Sequence, residues 1–288
     1  MYDVTIIGNN TESYTAALYC ARKNLSTLVL EIPSVLGDDL ETLKLIHKLK
    51  RSACDHGADC QSVNIFSIEM KRTPKLIHTD LGVYVSHCII LAMGKIPNKL
   101  GLPGEEKLCG NGLNYHDSCS TPYLKSKTVA VIGDNMAAVN HALTLSGLCK
   151  RVYVISGENL NADSPSMEAL QNTPNITLLQ HTLVVGLLGR PARVAGTKVG
   201  GIKVVDKTTG NQSTIECDAI FVTNESIPNT KLCKSYVLLD NSGYVITDRY
   251  GRTNVDGVFA AGSLRAMGNK RAATEGAVAA NNVINYLN

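Results

Sequence analysis

A glycine turn between a strand-like and a helix-like segment constrains the fold of this chain most. The apolar run Val4 to Ile7 is followed by Gly8 and then by the helical stretch Tyr14 to Arg22. A strand, a glycine turn and a helix in this order start a βαβ unit, which binds a dinucleotide when the turn reads Gly-x-Gly-x-x-Gly. Here the turn reads Gly8-Asn9-Asn10-Thr11-Glu12-Ser13. The fold signal is therefore retained, whereas two of the three glycines are replaced.

Glu12 is a second obstacle to a phosphate at this turn. It lies in the first turn of the predicted helix, whose positive end would otherwise attract an anion. At an effective dielectric of about 20, two like charges a few ångströms apart repel by roughly 3 kcal/mol, against roughly 1 kcal/mol from the helix dipole. Asparagine tolerates left-handed backbone, so the turn itself can form. We expect an asparagine amide to fill the phosphate space and bind the backbone donors there.

Alternating strand-like and helix-like segments predict an α/β fold. Short strands around Val63 to Met70, Pro74 to His78 and Val83 to Ser86 predict a small antiparallel meander laid on a parallel sheet, and Cys88 to Ala92 returns to that sheet. A second strand–turn–helix unit begins at Thr128 to Ile132. The repetition predicts two Rossmann-like doubly wound domains. We assign 1–111 with 235–288 to the first domain and 112–234 to a second, inserted one.

Composition excludes several classes of function. The net charge is +3, and lysine and arginine form no stripe, so we do not expect nucleic-acid binding. No apolar run reaches the roughly 20 residues of a membrane helix, and no targeting segment is visible, so we expect a cytoplasmic protein without membrane contact. The nine cysteines include no Cys-x-x-Cys and no zinc spacing, so we predict no metal site. They are expected to be reduced thiols, and we expect no disulfide between Cys54 and Cys60.

Five segments resemble one family, and they occur in the right order. They are Asp3 to Gly8, Ile89 to Gly94, Leu102 to Glu106, Val129 to Gly133 and Thr253 to Gly262. On these segments the chain resembles the low-molecular-weight thioredoxin reductases, within the pyridine nucleotide-disulfide oxidoreductases. The resemblance covers nearly the whole chain. It implies a homodimer with FAD in the first domain, NADPH in the inserted domain and a redox Cys-x-x-Cys at the start of the insert.

The dithiol motif departs from that family. Where the family has Tyr-Cys-x-x-Cys-Asp, this chain reads Tyr115-His116-Asp117-Ser118-Cys119-Ser120. Disulfide exchange needs an attacking thiolate and a resolving thiol. His116 replaces the attacking thiol, Ser120 replaces the acid, and Cys119 matches the flavin-side thiol. His116 and Cys119 are thus vestigial catalytic residues; a reactive thiolate–imidazole pair is the alternative to an ordinary surface turn, which we favour.

The resemblance assigns a residual FAD-type site to Gly8, Glu31, Gly94 and Gly262. Glu31 ends the second predicted strand and is placed to accept the ribose hydroxyls. The loop that follows Glu31 in the family is deleted here, and Gly262-Ser263 stands where the family has Gly-Asp.

Gly133 marks a residual NADPH-type site in the insert. The family's His-Arg-Arg is replaced there by Ser156-Gly157-Glu158, so no guanidinium is available for a 2′-phosphate. Glu158 could instead serve the 2′-hydroxyl of NADH.

The leading hypothesis is a dimeric pseudoenzyme that has lost thioredoxin-disulfide reductase activity. It would act as a scaffold that binds a protein partner or a large assembly. No cofactor is expected, FAD being the one to consider if any binds, and NADPH is not expected. The first alternative is an FAD-dependent oxidoreductase with another electron donor and Cys119 alone. The second is an adenine-nucleotide sensor that keeps only the Glu31 half-site.

Overall fold

The computed structural model describes residues 1–32, 40–115, 124–192, 196–265 and 272–288. Its contacts divide the chain into two compact units. The first unit combines Met1–Ile96 with Ser226–Asn288, and the second is Pro97–Glu225. The domain boundaries expected from the sequence lie further along the chain at both junctions and stay a prediction.

The secondary structure alternates along most of the described chain. The strands are β1 Tyr2–Ile7, β2 Thr27–Glu31, β3 Asp59–Ser62, β4 Ile65–Glu69, β5 Lys75–Thr79, β6 Gly82–Leu91, β7 Lys95–Ile96, β8 Leu113–Asn114, β9 Thr128–Ile132, β10 Arg151–Ile155, β11 Ile176–Leu179, β12 Thr182–Pro191, β13 Thr197–Asp206, β14 Gln212–Glu216, β15 Ala219–Val222, β16 Ile227–Pro228 and β17 Val258–Ala260. The helices are α1 Thr11–Ala21, α2 Leu40–Asp55, α3 Glu105–Leu108, α4 Met136–Ser146, α5 Ser164–Gln171 and α6 Ala272–Leu287, with a 3-10 turn at Gly262–Leu264.

The main sheet of the first unit has the order β3-β2-β1-β6-β5-β4, and β17 also pairs with β6. Strands β3, β2, β1, β6 and β17 are parallel, whereas β4 and β5 are antiparallel. The predicted meander is therefore not laid on the parallel sheet but extends it edge to edge. The reason is that β6 is one ten-residue strand, whose first half pairs with β5 and whose second half pairs with β1.

Apolar side chains cover both faces of this sheet, as is usual for parallel strands. One cluster joins β1 to helices α1 and α6, with Ala16, Ala17, Ala279 and Ala280 fully buried. The small alanine side chains let the two helices approach closely. Gly276 is at the closest point, because a Cβ there would lie 2.3 Å from the Glu12 carbonyl oxygen. The last helix is thus part of the core of the first unit.

The second unit contains a parallel sheet in the order β11-β10-β9-β15-β8 and an antiparallel sheet β12-β13-β14. Helix α4 packs on the parallel sheet through Ala138, Val139, Ala142 and Leu145, all fully buried. Two parallel sheets that each carry a strand–turn–helix unit confirm the predicted α/β, Rossmann-like fold class. Among the described residues, no helix has the length and apolar character needed to cross a membrane.

Candidate nucleotide site

Gly8 lies where β1 ends and α1 begins, and only glycine fits there. Its φ is +147°, and a Cβ would lie 2.1 Å from the Ala92 carbonyl oxygen and 2.4 Å from the Ser13 Oγ. Ala92 follows β6, the neighbour of β1 in the sheet. The turn is therefore packed directly against the carboxyl end of the next parallel strand, where nucleotides bind in folds of this type.

The side chain of Asn10 occupies the turn and forms hydrogen bonds on both sides of it. Its Oδ1 accepts hydrogen bonds from the Ser13 backbone N–H (3.0 Å) and from the Ser13 hydroxyl (2.6 Å). Its amide nitrogen donates to the Ala92 carbonyl oxygen at 2.9 Å. Asn10 is thus the N-cap of α1 and uses a backbone donor that a phosphate could otherwise engage. A diphosphate that lies on this turn has to displace the Asn10 side chain.

Glu12 is buried beside Gly262, another glycine of the residual site. Its side chain is near Gly262, where a Cβ would lie 2.0 Å from the Glu12 Oε1, and the residue is 5% exposed. Gly94 lies beside Asn10, with its Cβ position 3.3 Å from the Asn10 amide nitrogen. The structure therefore brings Gly8, Gly94 and Gly262 together around Asn10 and Glu12.

Glu31 ends β2, and three other residues donate to its carboxylate. The Tyr14 hydroxyl donates to Oε1 at 2.7 Å, the Lys50 ammonium lies 2.5 Å from the same oxygen, and the Ser62 hydroxyl donates to Oε2 at 2.8 Å. Burial alone would raise the pKa of Glu31, but the hydrogen bonds from Lys50, Tyr14 and Ser62 outweigh burial and lower it. The carboxylate is therefore ionised and held in a fixed orientation at neutral pH.

A cavity of about 260 Å³ opens beside this carboxylate. Its lining consists of Asn9, Glu31, Ile32, Ser62, Val63 and Asn64. Typical small-ligand sites have volumes of roughly 300–1,000 Å³, so this cavity suits part of a dinucleotide rather than all of it. A carboxylate after the second parallel strand is the usual ligand of a ribose, and the cavity therefore fits the adenosine part of a nucleotide.

Position alone identified Glu31 from the sequence, but its partners were missed. Tyr14 is on α1, Lys50 is on α2 and Ser62 ends β3. Ser62 could have been found, because β3 is parallel to β2 and the ends of parallel strands meet at one edge of the sheet. The contact with Lys50 depends on the rotation of α2 about its axis, for which the sequence carries no comparable signal.

The second unit has the same kind of glycine turn, also occupied by an asparagine side chain. At Gly133 a Cβ would lie 2.1 Å from the Thr223 Oγ1. Asn135 caps α4 by accepting from the Ala138 backbone N–H at 3.1 Å, and its amide donates to the Thr223 carbonyl oxygen at 3.0 Å. Asn10 and Asn135 both stand where the fingerprint has its second glycine, and both make the same pair of hydrogen bonds.

The carboxylate of the second unit has a different environment. The Ser156 hydroxyl donates to the Glu158 carbonyl oxygen at 2.6 Å, and the Glu158 carboxylate pairs with Lys207. This side chain is 69% exposed. The hydrogen bond from Lys207 lowers the pKa of Glu158. Glu158 is therefore a surface ion pair rather than one wall of a cavity.

The candidate thiol position cannot be placed, because His116 and Cys119 lie outside the described residues. Tyr115, which precedes them, donates its hydroxyl proton to the Glu105 carboxylate and accepts from the Leu100 backbone N–H at 3.2 Å. Within the described ranges no cluster of three or more His, Cys, Asp or Glu side chains could hold a metal ion.

Two Rossmann-type units, each with a glycine turn at the carboxyl edge of its parallel sheet, define a two-domain protein of the dinucleotide-binding class. Residues 2–281 match the family model described as pyridine nucleotide-disulphide oxidoreductase. The thioredoxin reductase of Treponema pallidum is 32% identical, over 99% of this chain and 97% of that protein.

Solved structures show the same likeness. The thioredoxin reductase of Lactococcus lactis has a TM-score of 0.79 and 25% identity, covering 100% of this chain and 99% of that one. That of T. acidophilum has a TM-score of 0.74 and 26% identity, covering 99% and 98%. The chain therefore belongs to the pyridine nucleotide-disulphide oxidoreductases, and within them it is thioredoxin reductase-like.

The family overturns one expectation from the sequence. The prediction of no cofactor, with FAD as the one to consider if any and NADPH not expected, is wrong, because the family is named for its pyridine nucleotide and the relatives are thioredoxin reductases, to which the resemblance assigns FAD and NADPH. The error has a physical cause. The predicted repulsion requires the Glu12 carboxylate to face the phosphates, whereas Glu12 is 5% exposed and its side chain lies against Gly262.

Proposed function

We propose that this chain is a thioredoxin reductase-like binding protein that has lost the family's disulfide reduction at the Cys-x-x-Cys position. The observation that carries this proposal is the replacement of the first motif cysteine by His116 in a chain whose family match spans residues 2–281. Without a thiol at 116, a mixed disulfide formed at Cys119 lacks the resolving thiol that the family's motif supplies. Loss of turnover with retention of the fold leaves binding as the function.

The nucleotide is held through its adenosine part. The cavity beside Glu31 and the three donors that orient this carboxylate support such binding. In this proposal Glu31 accepts the ribose hydroxyls, and Asn9 and Asn64 line the rest of the cavity. A flavin bound in this way would supply redox chemistry only if the chain could pass its electrons on. In this proposal the bound nucleotide stabilises the fold, and the fraction of the protein that carries it reports the nucleotide concentration.

The partner is a protein or a large assembly, and the chain acts as a homodimer in the cytoplasm. The homodimer follows the organisation of the family, and the reduced thiols expected from the sequence are typical of the cytoplasm.

A restoration experiment tests the proposal. The chain is saturated with FAD and assayed with NADPH and a thioredoxin disulfide, beside the double variant His116→Cys, Ser120→Asp and the single variant Ser120→Asp. We expect no turnover by the wild type or the single variant, because neither has a thiol at 116. Turnover by the wild type at the rate of an active thioredoxin reductase would overturn the proposal. A gain by the double variant alone would support it and assign the loss to the dithiol.

The names of the relatives favour a second candidate. Thioredoxin reductases occur among both the sequence relatives and the solved structures. A flavin-dependent oxidoreductase that uses Cys119 alone would retain the electron entry of such enzymes. Anaerobic bleaching of bound FAD by NADPH, followed by transfer to a disulfide that disappears in Cys119→Ser, would establish this candidate instead.

A further inference from the structure

Two cysteines away from the motif position lie side by side in the first unit. The sulfur atoms of Cys54 and Cys60 are 3.4 Å apart. Cys54 is in the last turn of α2 and Cys60 is the second residue of β3. Cys54 is exposed and Cys60 is half-buried, so a reagent can reach the pair from the Cys54 side.

The pair is part of a built contact between helix and strand. Lys50 and Cys54 are four residues apart on α2 and therefore share a helix face. Cys60 and Ser62 are two residues apart on β3 and share a strand face. Lys50 and Ser62 both contact the Glu31 carboxylate, which fixes α2 against β3 at the level just beside the two thiols. The short distance between the sulfur atoms thus follows from the packing of two regular elements.

We propose that Cys54 and Cys60 form an intrinsic dithiol, away from the motif position, that exchanges with disulfide substrates and closes to a disulfide. The sequence interpretation, which expected no disulfide here, considered only chance pairing in a reducing cell. The structure adds a fixed separation of the two sulfur atoms. A disulfide bond requires about 2.05 Å, so the two sulfur atoms, 3.4 Å apart in the dithiol, move closer when the pair closes.

The exchange takes place in two balanced steps. The Cys54 thiolate attacks one sulfur of the substrate disulfide, which forms a mixed disulfide at Cys54 and releases the first substrate thiol. Cys60 then loses its proton and attacks the Cys54 sulfur, which releases the second substrate thiol and leaves the intramolecular disulfide. The protein dithiol is oxidised by two electrons and the substrate disulfide is reduced to two thiols.

The two thiols have different roles. Burial, and after it the hydrogen bond with Cys54, raises the pKa of Cys60 to about 12. Attack from solution therefore starts at the exposed Cys54, and Cys60 resolves the mixed disulfide. Excess thiol runs the same steps backwards, so the pair reports the ratio of thiol to disulfide. This site does not depend on the proposed function, because it uses neither residue 119 nor a bound nucleotide.

Peptide mapping tests the proposal on the full-length protein. The protein is equilibrated with reduced and oxidised glutathione at graded ratios, quenched with an alkylating reagent and cleaved with trypsin. Residues Ser52–Lys71 form one tryptic peptide that contains both cysteines. We expect this peptide to carry two alkyl groups in reducing buffer and none in oxidising buffer, with a loss of two hydrogens.

Three variants complete the design. Cys54→Ser and Cys60→Ser should abolish closure, the latter leaving a glutathione adduct on Cys54. Cys109→Ser, which removes another exposed cysteine, should close at the same glutathione ratio as the wild type. A wild-type peptide that keeps two alkylated cysteines, or that stops at the glutathione adduct, would overturn the proposal. Slower hydrogen exchange at the end of α2 in the oxidised protein would support it independently.

Discussion

An asparagine side chain occupies both glycine turns of this chain in the same way, whereas the carboxylates that follow the two turns have different surroundings. Asn10 and Asn135 each cap a helix and each donate to the carbonyl oxygen just after a neighbouring strand. Glu31, however, is surrounded by three internal donors beside a cavity, whereas Glu158 is 69% exposed. The turn that would bind the phosphates therefore carries the same asparagine in both units. In the part of the chain that the structure describes, only the first unit keeps a cavity beside the carboxylate that would bind the ribose.

The phosphate contact and the ribose contact are lost for different physical reasons. An asparagine at the turn accepts a hydrogen bond that a phosphate would otherwise accept. A backbone N–H at the start of helix α1 or α4 therefore has a partner in the absence of a phosphate. An exposed glutamate that is paired with a lysine would bind a ribose only weakly, because water and salt screen its charge. The asparagine amide can be removed from the turn by one substitution, whereas a ribose ligand at Glu158 would require a new cavity wall.

The largest effect is expected from Gly8→Ala. A Cβ would lie 2.1 Å from a backbone oxygen, and the φ of +147° is unfavourable for alanine. Strain and overpacking together should lower the free energy of unfolding by about 3 to 5 kcal/mol. Urea titration measures the change.

Gly133→Ala is the matched variant in the second unit. Its Cβ would meet the Thr223 hydroxyl, a side-chain atom that can rotate away. The cost should be about 1 to 2 kcal/mol. Equal losses in the two variants would show that the turns are not packed as differently as the two contacts indicate.

Glu31→Gln should weaken nucleotide binding. The neutral amide accepts ribose hydroxyls less strongly than a carboxylate, and we expect roughly a tenfold rise in the Kd for ADP, about 1.4 kcal/mol. Isothermal titration calorimetry measures this. Glu158→Gln is the control and should leave the Kd unchanged, so a similar loss in both variants would remove the distinction between the two carboxylates.

Asn10→Gly should tighten FAD binding, because the ligand no longer has to displace an amide from the Ser13 N–H. A roughly threefold lower Kd, about 0.7 kcal/mol, is expected. Glycine is itself an acceptable N-cap, so the helix should persist. Asn135→Gly serves as the comparison and should not change FAD binding. Weaker binding after Asn10→Gly would mean that the amide contacts the ligand instead of excluding it.

The smallest effect concerns pH. The pKa of Glu31 is lowered in the folded protein, so its contribution to stability is present above the unfolded pKa of about 4.3 and is lost as pH falls through the folded pKa. Because Lys50 is 39% exposed, the contribution is discounted to about 0.5 kcal/mol. The difference in unfolding free energy between wild type and Glu31→Gln should shrink from pH 7 to pH 3. A difference that grows on acidification would contradict the ion pair.

The sequence was sufficient for the fold class, because the apolar run of β1, the Gly8 turn and the helix α1 follow one another directly. It was not sufficient for β6, which was predicted as two segments. Its first half pairs antiparallel and its second half parallel, so one strand carries both kinds of pattern.

The candidate site shows the same limit at the level of side chains. The residue type and position of Glu31 predicted its place at the carboxyl edge of the sheet. The proximity of Cys54 to Cys60 depends on how α2 packs on β3, and such long-range packing leaves no local pattern in the sequence.

The discontinuity of the first unit sets an order of assembly during synthesis. Residues 97–225 are contiguous, so the nascent chain can complete the second unit while the first is still lacking β17 and α6. Ala279, Ala280 and Val283 fill the core next to α1 only after translation has passed them. Until then the face of α1 that packs against α6 remains uncovered, and exposed apolar surface of this kind makes a folding intermediate prone to aggregation.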